Sequence, residues 1–209
     1  DVSDRGLPFM GCACIDVAAL PAVVARLSLT GELGYEINVR ASQQHLLWQA
    51  LMATGTPLGM RPIGMRAQDS LRLEKGYGVW SLEFSTTCTP AMAGLERFVA
   101  EDKDDFIGRE AFLAARETGP EMKLVLLHVE SPDADATGYE PIHHDDRRIG
   151  YVTSGAYGHH VRQSLALAYV DTGWCEATDP LSVTLLGKSC AARILRAPPY
   201  DPTGSKLRG

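Results

Sequence analysis

Long apolar runs are missing from this sequence. None approaches the roughly 20 residues of a bilayer-crossing helix, so no membrane partner is expected. The opening residues hold no succession of basic, apolar and small residues of the kind that marks a leader peptide. Clusters of Lys and Arg are equally scarce. Twenty basic residues against 26 acidic ones leave a net charge of -6 with nothing to offset it locally. That argues against nucleic acid and anionic lipid, which both require a positive footprint. Cysteine is sparse and irregular: Cys12, Cys14, Cys88, Cys175 and Cys190. Cys12 and Cys14 stand too close together for a zinc half-site and no second pair exists, so all five are expected as reduced thiols in a reducing compartment. Nucleophile-elbow, phosphate-loop and dinucleotide fingerprints are absent as well, and no spacing of Ser, His and Asp singles out a triad.

What remains is an ordinary globular composition, 45% hydrophobic and 22% charged over 209 residues, long enough for two small domains with real cores. The first residue is Asp1 and a compact segment is already under way there, so the chain is expected to be the later part of something longer. Composition shifts near Gly119-Pro120: strands and helices mix before it, and short strands with turns follow it. The expected division is therefore 1–119 and 120–209.

In the first part, residues 23–30 read as a strand, and Gly31 and Gly34 supply a turn. Residues 35–40 alternate, with Tyr35, Ile37 and Val39 on one face and Glu36, Asn38 and Arg40 on the other. Ser42 is placed to cap a helix over 43–53 whose stripe is Leu46, Leu47, Ala50 and Leu51. Residues 64–75 are rich in helix formers and Gly76 supplies a stop. Short strands are expected over 77–80 and 97–100, and a helix over 109–117. Beyond Pro120, strands over 123–129, 141–143, 148–153, 164–170, 181–186 and 189–195 fit a small antiparallel barrel or sandwich, with Gly187-Lys188 as a hairpin loop. Residues 198–209 read as a strap.

Among polar residues, Glu36 stands out. A carboxylate on the polar face of a hairpin strand can accept two N–H bonds from a planar heterocycle such as a pterin, although the plainer reading is a solvated strand glutamate. Arg66, Asp69, Arg72 and Glu74 share one helix, where pairs three apart form an ordinary salt-bridged face. Arg66 can alternatively hold a substrate carboxylate. The acidic run 101–105 lacks the ligand register of a calcium loop. His143-His144 and His159-His160 are adjacent pairs whose side chains diverge on a strand, so no metal site is assigned.

Taken in order, several blocks resemble the glycine-cleavage T-protein (aminomethyltransferase) family. They are Leu7-Pro8-Phe9-Met10, Thr30-Gly31-Glu32-Leu33-Gly34-Tyr35-Glu36, residues 69–77 (Asp-Ser-Leu-Arg-Leu-Glu-Lys-Gly-Tyr), Thr89-Pro90 with Ala93-Gly94-Leu95, residues 105–110, residues 150–155 and residues 200–204. The Glu74-Lys75-Gly76-Tyr77 block followed by Trp80, with the closing strap, is most similar to the branch joined to sarcosine and dimethylglycine dehydrogenases and oxidases.

The resemblance implies an α+β fold: the second half of an aminomethyltransferase folate-binding fold (1–119), followed by a small C-terminal antiparallel β-barrel (120–209). It implies tetrahydrofolate as cofactor, with FAD only in an upstream domain, and a methylamine-type substrate whose carbon passes to tetrahydrofolate as the 5,10-methylene form. Glu36 matches the family's pterin-gripping glutamate, and Tyr35 is expected on the opposite, packed face. Phe98 falls where an aromatic residue lies near folate. The folate-contacting arginine of the helix motif is replaced here by Gln68, so either Arg66, two residues earlier, takes over the contact or the glutamate-tail end is bound differently. No catalytic residue is assigned: the family's aspartate precedes the Leu7-Pro8-Phe9-Met10 block, and Asp1, Asp4 and Asp16 do not match its motif. The other implied readings are a stand-alone aminomethyltransferase, a folate-dependent demethylase, and a non-catalytic folate-binding or assembly module. Bacterial cytoplasm and mitochondrial matrix fit equally, and a homo-oligomer is compatible with the sequence.

Overall fold

The computed structural model describes residues 1–208, so the last residue of the expected strap, Gly209, lies outside the described residues. Contacts group the chain into two compact units, residues 1–68 with the segment from Asp201 on, and Asp69–Tyr200.

The first unit is built on a three-stranded antiparallel sheet of β1 (Cys12–Val17), β2 (Leu20–Ala25) and β3 (Glu36–Asn38), in that order. The β2–β3 pairing joins the two strands expected to form a hairpin, with Val24 opposite Ile37 and Ala25 opposite Glu36. The first strand of that pair starts earlier than expected and ends at Ala25. β1 is an addition. It turns into β2 through Ala18-Ala19, both at positive φ (51° and 61°), where a two-residue hairpin loop ordinarily shows Asn or Gly. One sheet face packs Leu7, Ala22 and Val24 with Ile15, Ile37 and Val39.

Tyr35 departs from expectation. β3 begins only at Glu36, so Tyr35 lies in the approach to the strand, 37% exposed, and its hydroxyl donates to the Val2 carbonyl at 2.7 Å. Ser42 does not cap the next helix. It sits within a 3-10 turn, Ala41–Gln43, that leads into α1 (Gln44–Gly55) with no side-chain cap. Only Leu47 of the expected stripe is buried, whereas Leu46 and Trp48 are about half exposed.

Arg26, 1% exposed, is the polar centre of this unit. Its guanidinium donates to the carbonyls of Leu7 (3.1 Å) and Arg208 (2.8 Å) and pairs with Asp4. The tail thus ends in a helical turn, Ser205–Arg208, whose amides at Ser205 and Lys206 donate to the Asp201 carboxylate.

Helix α2 (Met65–Glu74) enters the second unit at Asp69. It stops where the sequence said it should. Gly76 at φ 65° lets its amide reach the Leu73 carbonyl and the Tyr77 amide reach that of Arg72, the two bonds of a Schellman cap. The strand expected over 77–80 is replaced by a turn closed by a single Trp80–Phe84 bridge. α3 (Pro90–Ala93) is capped by the Thr89 hydroxyl, which accepts from the Met92 amide. Where a strand was expected over 97–100, Glu96–Phe98 forms a 3-10 turn, and α4 (Arg109–Thr118) follows.

The barrel comprises β4 (Met122–Val129), β5 (Pro141–His144), β6 (Arg147–Gly158), β7 (Gln163–Asp171), β8 (Leu181–Leu185) and β9 (Lys188–Leu195), closed in the order β4-β7-β6-β5-β8-β9. The β8–β9 loop is Leu186-Gly187, one residue earlier than expected. Alternation divides the strands cleanly. Leu127, Val129, Val152, Ala166 and Ala168 fill the interior, while Leu126, Leu165 and Leu167 face outward and are covered by Leu73 of α2. That outer cover explains why β7 is buried along both faces.

Candidate functional site

The residues nominated from sequence fall in different units. Glu36, Arg66 and Gln68 belong to the first, Phe98 to the second. Glu36 opens β3, one of the two edge strands of the sheet, with its side chain exposed on the face opposite the core. Among the described residues its carboxylate enters no hydrogen bond or ion pair, so all its acceptor capacity is available to a ligand. A groove of about 430 Å³ opens beside the same strand, lined by Asn38, Val39, Gln44, Leu47 and Trp48.

Arg66 is exposed on the first turn of α2 and, among the described residues, makes no ion pair. Gln68 is half-buried. Two positions apart on a helix, they point in different directions, so no hydrogen bond links them. Phe98 is 68% exposed, and the Arg97 guanidinium lies 4.6 Å from its ring centroid. Three of the four histidines of the sequence pairs are engaged with aromatic neighbours. His144 packs on Trp174 at 4.0 Å, His159 meets Tyr157 and His160 meets Tyr200 edge-on.

Sequence reasoning missed a second polar constellation, in the second unit. Part of the helix face that spacing assigns to solvent is buried: Arg72 and Glu74 are each 1% exposed, and Glu83, in the turn that follows the helix, is 0% exposed. Arg72 donates to Asp69 (3.1 Å), Glu83 (3.4 Å) and the Tyr77 carbonyl (3.2 Å). The Glu83 carboxylate also accepts from the Val79 amide (2.9 Å), the Thr153 hydroxyl (2.7 Å) and the Ser154 hydroxyl. Glu74 accepts from the His160 and Val161 amides (2.8 and 3.3 Å), and Ser70 donates to the Tyr157 carbonyl. The arrangement locks α2 and the 77–84 turn onto β6 and β7. Among the described residues Arg72, Glu74 and Glu83 each have hydrogen-bond partners within the protein, so the chemistry of the cluster is positional.

Tyr169 completes this cluster by donating to the Glu83 carbonyl at 2.8 Å. Burial foremost, with hydrogen bonding and nearby negative charge adding to it, pushes its phenol far above the ordinary 10.0. A group whose folded pKa is raised contributes stability below its unfolded pKa and loses it as pH rises through that range. Stability should therefore fall as pH climbs above 10, and Tyr169→Phe should flatten that decline. Urea unfolding between pH 8 and 11 checks it, and an equally steep decline in the variant would remove Tyr169 as the cause.

Two family models match the chain in order, the GCVT N-terminal domain over residues 1–103 and the glycine cleavage T-protein C-terminal barrel domain over residues 123–201. The mitochondrial dimethylglycine dehydrogenase of Homo sapiens is 36% identical over 211 residues, covering 100% of this chain and 24% of that protein. The aminomethyltransferase of Saccharopolyspora erythraea is 36% identical over 186 residues, 88% of this chain and 51% of that one. Among solved structures, the glycine cleavage system aminomethyltransferase T from Bartonella henselae superimposes with a TM-score of 0.81 at 27% identity, over 96% of this chain and 56% of its own. The chain thus spans about a quarter of the dehydrogenase and about half of the aminomethyltransferases. With both family models matched in order and a closed six-stranded barrel following a mixed helix-and-sheet part in the chain, the chain belongs to the glycine-cleavage T-protein (aminomethyltransferase) family.

Proposed function

We propose that this chain is the tetrahydrofolate-binding part of a flavin-linked N-demethylating protein of the dimethylglycine dehydrogenase type. The observation that carries the reading is the unengaged Glu36 carboxylate on an exposed edge strand, directly behind the 30–34 turn. Its two oxygens suit the paired N–H donors of a pterin edge, and a charge-assisted bidentate contact fixes orientation as well as affinity. Bound tetrahydrofolate would supply the two amine nitrogens that take up the substrate's one-carbon unit as the 5,10-methylene form. The chain's own contribution is to hold that acceptor in place, an orientation effect with no acid–base step assigned to its residues.

In this reading Arg66 or Gln68 meets the glutamate-tail end, Phe98 supplies an aromatic wall, and flavin is assigned to no residue here. Residues 1–119 form the folate-binding part and 120–209 the barrel domain. The substrate is a methylated amine, and the compartment is a reducing one, bacterial cytoplasm or the mitochondrial matrix. Similar identity to aminomethyltransferases supports a second reading, a stand-alone aminomethyltransferase with no flavin step.

Calorimetric titration of tetrahydrofolate into the full-length gene product, under reducing conditions, tests the proposal. Saturable binding is expected, and Glu36→Ala should weaken it by about 1.5–3 kcal/mol, the value of a hydrogen bond to a charged group. Unchanged affinity in a folded variant would sink the assignment.

A further inference from the structure

We propose that Cys12 and Cys14 form a thiol floor beside Glu36, so that a ligand held by Glu36 and alkylation of these cysteines exclude each other. The inference rests on the reading of Glu36 as a folate contact and extends that site to β1. Strand register carries it. Glu36 lies opposite Ala25, and Ala25 lies opposite Cys12; in the next outward-facing row Asn38, Val23 and Cys14 align in the same way. Directly opposed residues of an antiparallel ladder share a face. The intervening positions, Ala13, Ile15, Val24 and Ile37, pack into the core, so both rows point outward. Cys12, Cys14, Glu36 and Asn38 are all exposed, and Val23 is 40% exposed.

Side-chain size matters next. Only the methyl group of Ala25 separates Glu36 from Cys12, leaving a low, flat floor. Two strand spacings put their Cα atoms roughly 10 Å apart, a span that a fused two-ring heterocycle with an arylamine beyond it covers. The sulfur atoms offer such rings a polarizable contact. The two thiols do not quench each other. Positions two apart on one strand are about 6.6 Å apart at Cα, near the upper limit for a disulfide, and both cysteines are free.

The test is iodoacetamide labelling of the full-length gene product, read per cysteine by mass spectrometry, with and without saturating 5-methyltetrahydrofolate. Calorimetry on the same sample establishes whether the folate is bound. Labelling of Cys12 and Cys14 should slow about tenfold or more, the occlusion expected of an occupied site, while Cys190 in the barrel keeps its rate. Cys12→Trp, a residue that strands tolerate, should weaken folate binding by about tenfold. Binding without protection of Cys12, equal slowing at Cys190, or full affinity in a folded Cys12→Trp variant would overturn the thiol floor and leave the Glu36 reading standing. Absence of any folate binding by the wild type would overturn the Glu36 reading itself, and this inference with it.

Discussion

Glu83→Ala is expected to destabilise the second unit by about 3–5 kcal/mol, the cost of leaving a buried charge without its partner. The stranded charge is Arg72, 1% exposed. Asp69, 3.1 Å away but 40% exposed, cannot replace a counter-charge at full burial. The same substitution deprives the Val79 amide and the Ser154 hydroxyl of their acceptor, while the Thr153 hydroxyl keeps the Leu167 carbonyl at 3.0 Å. For a chain of this size such a loss lowers the melting temperature by about 10 °C. Glu83→Gln should fall in between, because one of its two terminal atoms becomes a donor facing donors. Arg72→Met combined with Glu83→Leu should lose less than Glu83→Ala, since no charge is left behind, but should not match wild type while the Val79 amide and the Ser154 hydroxyl stay unpaired. Thermal and urea unfolding of the four proteins decide the matter, and a loss under about 1 kcal/mol for Glu83→Ala would mean that water reaches Arg72.

Gly150→Ala should be of similar size for a different reason. A Cβ at Gly150 would stand 2.3 Å from the Tyr169 carbonyl oxygen and 3.0 Å from the Val170 Cα. Both are backbone atoms of β7, whose Val170 is the partner of Gly150 across the barrel wall. No rotamer change relieves such a clash. β6 and β7 must separate in a closed barrel that has no free edge to absorb the shift, so the cost should exceed the 1–3 kcal/mol usual for overpacking. Gly173→Ala is the control. It has nothing within 4 Å and no positive φ, so it should be neutral or stabilise by up to about 1 kcal/mol. Equal melting temperatures for the two variants would show that the barrel wall yields at β6.

These two sites differ in how far the sequence announces them. The barrel strands are visible as short alternating runs between turns, and the stop of α2 is visible as Gly76, because periodicity and backbone freedom are local properties. The outward direction of Glu36 follows from the same alternation. Burial of Arg72, Glu74 and Glu83 is not local. The partners that make it tolerable, Thr153, Ser154 and the His160 amide, lie some 70 to 86 residues away along the chain. A charged residue without known partners is rightly assigned to solvent. β1 escaped notice for a third reason. Its hairpin turns on two alanines at positive φ, and alanine carries no turn signal. The 97–100 segment shows the reverse failure, a strand-like composition that settled into a 3-10 turn.

The guanidinium of Arg26 also bears on the order in which this protein assembles. Its bond to the Arg208 carbonyl joins residues 182 positions apart. A nascent chain can complete β1–β3 early, yet the sheet's buried arginine finds its last acceptor only after every barrel strand has left the ribosome. Domains made first usually finish first during synthesis. Here the earlier of the two units is completed after the later one, and until then, among the described residues, Arg26 is held by the Leu7 carbonyl and Asp4.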